Sequence, residues 1–271
     1  MVASHRRRPH SYNAADMLLA VDVGNTNIVV GVFDGERLVA DFRLHTNERS
    51  TGDELGLATT DLLRRRGIDI AGIDAVAVAN VVPPLARAVD EMARGYFGRP
   101  PLVVGPGIRT GVSIRYEDPR QVGADRIANA LAGRHLYGAP AILLDFGTAT
   151  TFDAVSAAGE YLGGAMAPGI LISLDALVSH ASKLNRIELA APPSVIGRNP
   201  AASMQSGFVF GYVGLVQGIV GRMRAEIGEE ARVIATGGLA ELFAPLIPEI
   251  EAVDPHLTLV GLRLIHELNR D

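Results

Sequence analysis

The chain opens each of its halves with the same grammar, and that repetition limits what it can fold into. Residues 18–38 read LLAVDVGNTNIVVGVFDGERL, and residues 141–162 read AILLDFGTATTFDAVSAAGEYL. Each is an apolar run ending in aspartate, then x-Gly and a small polar turn, a second apolar run and a glycine turn. Asp22 aligns with Asp145, Gly24 with Gly147 and Val32 with Val155. One extra residue in the second turn then sets Gly35 against Gly159 and Glu36 against Glu160. A period this long lies outside the roughly 20–50 residues of solenoids and propellers. It predicts an internal duplication: two related domains over residues 17–138 and 139–271, with a ligand cleft between them.

The rest of the pattern is that of an α/β chain. Thr51 and Glu54 have capping-box spacing ahead of a helix holding Leu55, Ala58, Leu62 and Leu63. Ala75 to Ala79 reads as a buried strand, Pro83-Pro84 precedes a helix to about Tyr96, and Leu102 to Val104 is a short strand. Val112 to Tyr116 has the look of strand, and a helix from Ala124 to Tyr137 is expected to close the first half. In the second half, helices are expected over 170–181 and 203–227, Pro192-Pro193 marks a loop, and a strand at Arg232–Ala235 leads into Thr236-Gly237-Gly238.

Composition narrows the function classes. With 271 residues, 48% of them hydrophobic, the chain can bury two modest cores, and disorder is excluded for most of its length. A net charge of -5 offers no basic face to a nucleic acid. The absence of cysteine removes disulfides, thiolate zinc sites and thiol nucleophiles, and is compatible with a cytoplasmic location. The seven histidines are scattered, with no pair at metal-ligand spacing on one helix face. No apolar run approaches the roughly 18 residues of a membrane span, so no membrane association is expected. Residues 1–16 are polar and carry Arg6, Arg7 and Arg8; they read as a disordered extension, with Met17 a plausible alternative start.

The two aspartate hairpins are candidate phosphate cradles. Gly24 lets backbone N–H groups approach an anion closely, and Asn25, Thr26 and Asn27 add neutral donors. An acid beside a phosphate site needs a cation between them, and Mg²⁺ held by Asp22 together with phosphate oxygens meets that need. A hairpin of this kind standing alone is as readily an ordinary turn. A second copy at Asp145-Phe146-Gly147-Thr148, and a third glycine turn at Thr236-Gly237-Gly238 where a base or ribose could lie, shift the balance. Together they predict an α/β protein of two actin-like (ribonuclease H-like) ATPase domains, with mixed sheets flanked by helices. Competing nucleotide motifs fail: the sole lysine, Lys183, follows serine rather than a P-loop glycine, and Gly105–Gly111 has the wrong spacing for a dinucleotide loop.

Between the hairpins lies Gly123-Ala124-Asp125-Arg126. With Asp22–Asn27, Val81-Val82-Pro83, Asp145–Thr151, Gly163–Gly169, Thr236-Gly237-Gly238 and Leu257-Thr258-Leu259, it resembles the type III pantothenate kinases over residues 17–271. The resemblance implies ATP-dependent phosphorylation of pantothenate at its terminal hydroxyl, the first step of coenzyme A synthesis. It implies Asp125 as the base that accepts the hydroxyl proton. Tyr116, Gly123, Ala124 and Arg126 would line the pantothenate pocket. Asp22, Val23, Gly24, Asn25, Thr26, Asn27, Ile28, Val29 and Thr148 would hold ATP, and Asp145 a monovalent cation, potassium or ammonium. It further implies a homodimer whose pantothenate pocket is completed by the partner chain.

The chemistry of the residues agrees with these roles. Phosphoryl transfer is largely dissociative, so a weak aspartate base chiefly orients the hydroxyl and takes its proton late, and Arg126 can bind a carboxylate through two nitrogens. Structural roles remain open for each: first-turn helix electrostatics for Asp125, an ion pair for Arg126 and a core-facing strand position for Tyr116. One departure stands out. After Ile196-Gly197-Arg198-Asn199 the family usually has threonine reaching the substrate from the partner subunit, and this chain has Pro200, which has neither a hydroxyl nor an N–H donor. A kinase of the same fold for another small hydroxy acid, and a non-catalytic regulatory factor, are the alternatives. Retention of Asp22, Asp125 and Asp145 speaks against the latter.

Overall fold

The computed structural model describes residues 17–270, so the extension expected over residues 1–16 lies outside the described residues. The chain divides into two units after Val103. In the first, the apolar run before Asp22 forms β1 (Met17–Val23), followed by β2 (Asn27–Asp34) and β3 (Arg37–His45). Then come α1 (Gly52–Arg65), β4 (Ile73–Asn80), α2 (Ala86–Phe97) and β5 (Leu102–Val103). The strands make a five-stranded sheet in the order β3-β2-β1-β4-β5. β1, β2 and β3 are joined antiparallel, while β4 runs parallel to β1 and β5 to β4.

The expected capping box is present: Thr51 accepts from the Glu54 N–H, and Glu54 accepts from the Thr51 N–H at 2.8 Å. Such a cap is worth about 1 kcal/mol. Leu19, Val21, Val30, Val76 and Val78 meet Leu55, Leu63, Val89 and Met92 in a continuous core. The helices approach closely at Gly56, where a Cβ would fall 2.3 Å from the Tyr96 ring.

The second unit begins with an irregular stretch and α3 (Ala124–Tyr137), then β6 (Ala141–Phe146), β7 (Ala149–Val155) and β8 (Tyr161–Pro168). It continues through α4 (Ile170–His180), the long α5 (Pro200–Ile227), β9 (Arg232–Thr236), the single-turn α6 (Ala240–Phe243), β10 (Ala252–Val253) and α7 (Leu257–Leu268). Its sheet order, β10-β9-β6-β7-β8, repeats that of the first unit with the same strand senses. Even the irregularity recurs: the register shifts between Val32 and Phe33 in one sheet and between Ala154 and Val155 in the other. The duplication inferred from the sequence is thus a duplication of topology.

Two expectations are corrected, and the division into units falls elsewhere than the expected domain boundary. Val32 corresponds to Ala154 rather than Val155, because the turn after β6 is tighter: the Gly24 N–H reaches the carbonyl of Asn27, but that of Gly147 reaches Ala149. The division falls after Val103 and not after residue 138, because α3 packs on β6, β7 and α7. Gly133 brings α3 onto Leu143 of β6, and Gly261 brings α7 so close that a Cβ would sit 2.1 Å from the Ala128 carbonyl oxygen. Val112 to Tyr116 forms no strand; only Ile114 makes a bridge, to Tyr161. The other helices and strands fall where expected, with α5 starting slightly earlier, at Pro200.

Side chains alternate across a strand, and that alternation divides the second sheet between two helical layers. Ile142, Leu144, Phe146 and Phe152 join Val209, Val216 and Val220 of α5 in one core, where Phe146 stacks on Phe243 at 5.1 Å. Leu143 points the other way, toward α3. Asp145 lies two residues along the same face, and β7 pairs Asp153 directly across from Leu143. Two aspartates are therefore carried to the face that α3 covers.

Candidate active site

Gly123 caps α3 and Asp125 falls in its first turn, where the helix dipole favours a negative charge. The Asp125 carboxylate accepts the Arg126 N–H at 2.8 Å. Burial dominates nonetheless and lifts the Asp125 carboxyl above its ordinary value, with the Arg126 hydrogen bond and charge pulling against it. A half-buried carboxylate of raised proton affinity is suited to accept a proton from a weakly acidic donor.

Arg126 is not free on the surface. Its Nε donates to Asp153 Oδ1 at 2.8 Å and its Nη2 lies 2.6 Å from the same oxygen, with 13% of the Arg126 side chain exposed and 1% of Asp153. Tyr161 donates its hydroxyl to Asp153 Oδ1 at 2.8 Å, and the guanidinium carbon sits 5.9 Å from the Tyr161 ring centre. The ion pair is therefore internal, reaching from α3 to β7. It occupies the side-on edge of the guanidinium. Burial lifts the Tyr161 hydroxyl well above its usual range, the Asp153 charge adding to the effect, so Tyr161 serves as a donor. Asp153 and Tyr161 were missed from the sequence. The available signal was an aspartate in the otherwise uncharged run Thr150–Val155.

Asp145 completes the cluster. Its carboxyl is pushed up to about 7, first by burial and then by the like charges of Asp125 and Asp153. The glycine turn after β9 packs against it: a Cβ on Gly237, whose φ is +89°, would lie 2.3 Å from Asp145 Oδ1. Gly237 thus serves close approach to Asp145, and Gly238 is the residue of that turn with open space beside it. A cation beside Asp145 would relieve the burial of its charge. Among the described residues no group of three or more His, Cys, Asp or Glu is placed to hold a metal ion. A Mg²⁺ at Asp22 would therefore take its remaining ligands from phosphate and water, which is its usual habit in nucleotide sites.

The first unit supplies the other hairpin. Asp22 is the penultimate residue of β1, opposite Val29, and Val23 ends the strand paired with Ile28. Asn25, Thr26 and Asn27 are exposed, while Gly24 is fixed by its N–H to Asn27 and by Thr46, whose hydroxyl donates to the Gly24 carbonyl at 2.6 Å. In the second unit the matching turn is backed by Gly169, whose N–H donates to the Thr148 carbonyl at 3.1 Å. Both turns are open, backbone-ordered and able to present N–H groups to an anion.

Tyr116 is 37% exposed, its ring 6.4 Å from that of Tyr161 and against Gly163. It is a surface neighbour of the network, not a core-facing strand residue. Pro200 stands apart from the cluster: it is the first residue of α5, capped by Asn199, which accepts the Ala202 N–H at 2.9 Å. It borders an apolar groove of about 580 Å³ between α4 and α5 that shares no lining residue with the Asp125–Arg126–Asp153 network.

Comparison with known proteins agrees with this geometry. A family model described as type III pantothenate kinase matches residues 18–222. A type III pantothenate kinase of Geobacter sulfurreducens is 54% identical over 255 residues, covering 94% of this chain and 100% of that protein. One of an Anaeromyxobacter species is 56% identical over 254 residues, with 94% and 100% covered. Among solved structures, the ethanolamine utilization protein EutJ of Carboxydothermus hydrogenoformans shares the fold with a TM-score of 0.54 at 17% identity, over 92% of this chain and 90% of that one.

Proposed function

The chain belongs to the type III pantothenate kinase family, an ATP-dependent enzyme of coenzyme A synthesis with the actin-like fold, and on that premise we propose how its residues divide the work. Asp125 accepts the proton of the pantothenate hydroxyl as that oxygen bonds to the γ-phosphorus of ATP and the bond to the β-phosphate oxygen breaks, releasing ADP. The observation that carries this assignment is the raised proton affinity of a carboxylate held in the first turn of α3. Arg126 binds the substrate carboxylate with its end-on edge, and Tyr116, Gly123 and Ala124 line the pocket around it. Asp22 to Val29, together with Thr148, take part in ATP binding.

Mg²⁺ at Asp22 and potassium or ammonium at Asp145 would neutralise phosphate charge and the buried carboxylate. The enzyme works in the cytoplasm as a homodimer. Exposed apolar side chains support that assembly: Met166, Leu171, Ile172, Leu177, Val195 and Ile196 are 40–80% exposed in and around α4 and the loop before α5. Such clustering marks association surfaces. Pro200 borders the same region.

The test is a coupled assay for ADP release with ATP, pantothenate, Mg²⁺ and potassium. Asp125→Asn is expected to keep nucleotide affinity and lose about 100-fold or more in turnover. An unchanged rate would remove Asp125 from its role, and no turnover of pantothenate by the native chain would overturn the substrate.

A further inference from the structure

The internal duplication isolates residues that belong to one half only. With Asp22 matched to Asp145, the register of the two hairpins matches Asp153 to Gly31 and Tyr161 to Leu38. The first unit thus carries glycine and leucine where the second carries a fully buried carboxylate and a fully buried phenol. The shared topology therefore does not require them. Nor does stability explain them, since a buried ion pair is often no more stabilising than apolar residues of similar volume. What Asp153 and Tyr161 do instead is converge, from neighbouring strands, on the side chain next to Asp125.

We propose that Asp153 and Tyr161 are positioning residues for Arg126, pinning the side-on edge of its guanidinium so that the end-on edge is held for the carboxylate of the substrate. The inference rests on the assignment of Arg126 to substrate binding. A planar guanidinium can serve two anions at once, one on each edge, which an ammonium cannot do in fixed geometry. Asp153 Oδ1 receives both Nε and Nη2, and the Tyr161 hydroxyl donates to the same oxygen, so the carboxylate is itself held from a second direction. Asp153 sits on β7 at a point where β8 approaches through Gly164, whose Cβ would lie 1.7 Å from the Phe152 carbonyl oxygen. Arg126 is thus anchored to the sheet, where positioning is most exact.

Michaelis constants for pantothenate and for ATP, measured separately on Asp153→Asn, Tyr161→Phe, Arg126→Lys and the Asp153→Asn/Arg126→Lys double variant, test this. Asp153→Asn is expected to raise the pantothenate KM about tenfold, the scale of a lost charge-assisted hydrogen bond, with ATP KM within about twofold. Tyr161→Phe moves the same constant by a smaller factor. The double variant is no worse than Arg126→Lys alone, because both changes break one interaction. With the analogue that carries CH2OH in place of the carboxylate, the Asp153→Asn effect disappears.

Equal rises in both KM values, additive double-variant losses, or an undiminished effect on the neutral analogue would each overturn the proposal. If Asp153→Asn does not fold, Tyr161→Phe decides, since it leaves both charges in place; an unmoved pantothenate KM then rejects the idea. If Arg126→Lys itself leaves that KM unchanged, the substrate role of Arg126 fails. If only the Asp153 and Tyr161 variants are silent, this inference fails alone.

Discussion

Asp145→Asn removes a carboxylate whose charge the fold disfavours, and the size of that disfavour can be worked out. The group ionises near 3.8 in an unfolded chain but only at about 7 in the folded one. Between those values the folded state binds the extra proton, so stability falls as pH rises through the window. A gap of about three units at about 1.4 kcal/mol each comes to about 4 kcal/mol, fully felt above pH 7 and absent below about pH 4. Asparagine has no such charge to bury. Urea unfolding of both proteins from pH 5 to 8, in buffers free of potassium and ammonium, should show the variant gaining about 2–3 kcal/mol on the native chain across that range. The new amide adds a constant offset but not a slope, so the slope is the diagnostic quantity. A difference flat with pH would refute the claim that burial and the Asp125 and Asp153 charges act on Asp145. Potassium supplies the second arm: at ten times its Kd it should stabilise the native chain by about 1.4 kcal/mol at pH 8 and leave Asp145→Asn unmoved. Equal stabilisation of both would remove Asp145 from the cation site.

Three further outcomes follow from the geometry. Because burial raises the Asp125 carboxyl, the acidic limb of kcat/KM should lie above the ordinary carboxylate range, since protonation removes the acceptor as pH falls through the raised value; a limb at the usual carboxylate position refutes this. Gly164→Ala puts a Cβ 1.7 Å from a backbone oxygen and should destabilise the chain by more than about 3 kcal/mol in denaturant melts. Pro200→Thr should lower the pantothenate KM with kcat unchanged and shift stability by less than about 1 kcal/mol, because the Asn199 cap of α5 is retained; an unaltered KM means that the contact expected of a threonine there has been replaced or is unimportant.

How much of this was legible beforehand depends on whether the determining interactions are local. The hairpin at Asp22, the box at Thr51 and Glu54, and the entry to α3 at Gly123 rest on neighbours a few residues apart, and their positions could be read directly. Repetition carried the topology further, since an aspartate hairpin met twice constrains the order of the strands that flank it. Register is a different matter. The single-residue tightening of the turn at Gly147 is invisible in a pattern of small polar residues, yet it slides β7 by one position and turns every side chain on it to the other face relative to the sequence alignment. The alignment therefore placed the counterpart of Val32 wrongly and hid the fact that Asp153 faces α3. The placing of α3 with the second unit rests chiefly on its packing against α7, more than a hundred residues on, which no local signal reaches.

What the two halves share is the scaffold of an aspartate-glycine hairpin, and what they do not share is the cluster of charged side chains around α3. Asp125, Arg126, Asp153 and Tyr161 all lie in the second unit, on α3, β7 and the first residue of β8. Three acids and one arginine there leave an excess of negative charge on a poorly hydrated face. Such a cluster destabilises a fold unless something else uses it. On the proposed assignment, a cation at Asp145, a proton accepted by Asp125 and an anion drawn to Arg126 would be three ways of using it, all within one phosphoryl transfer. Departures from an internal repeat, read after the register is known, are thus a sharper guide to the reacting groups than the repeat itself.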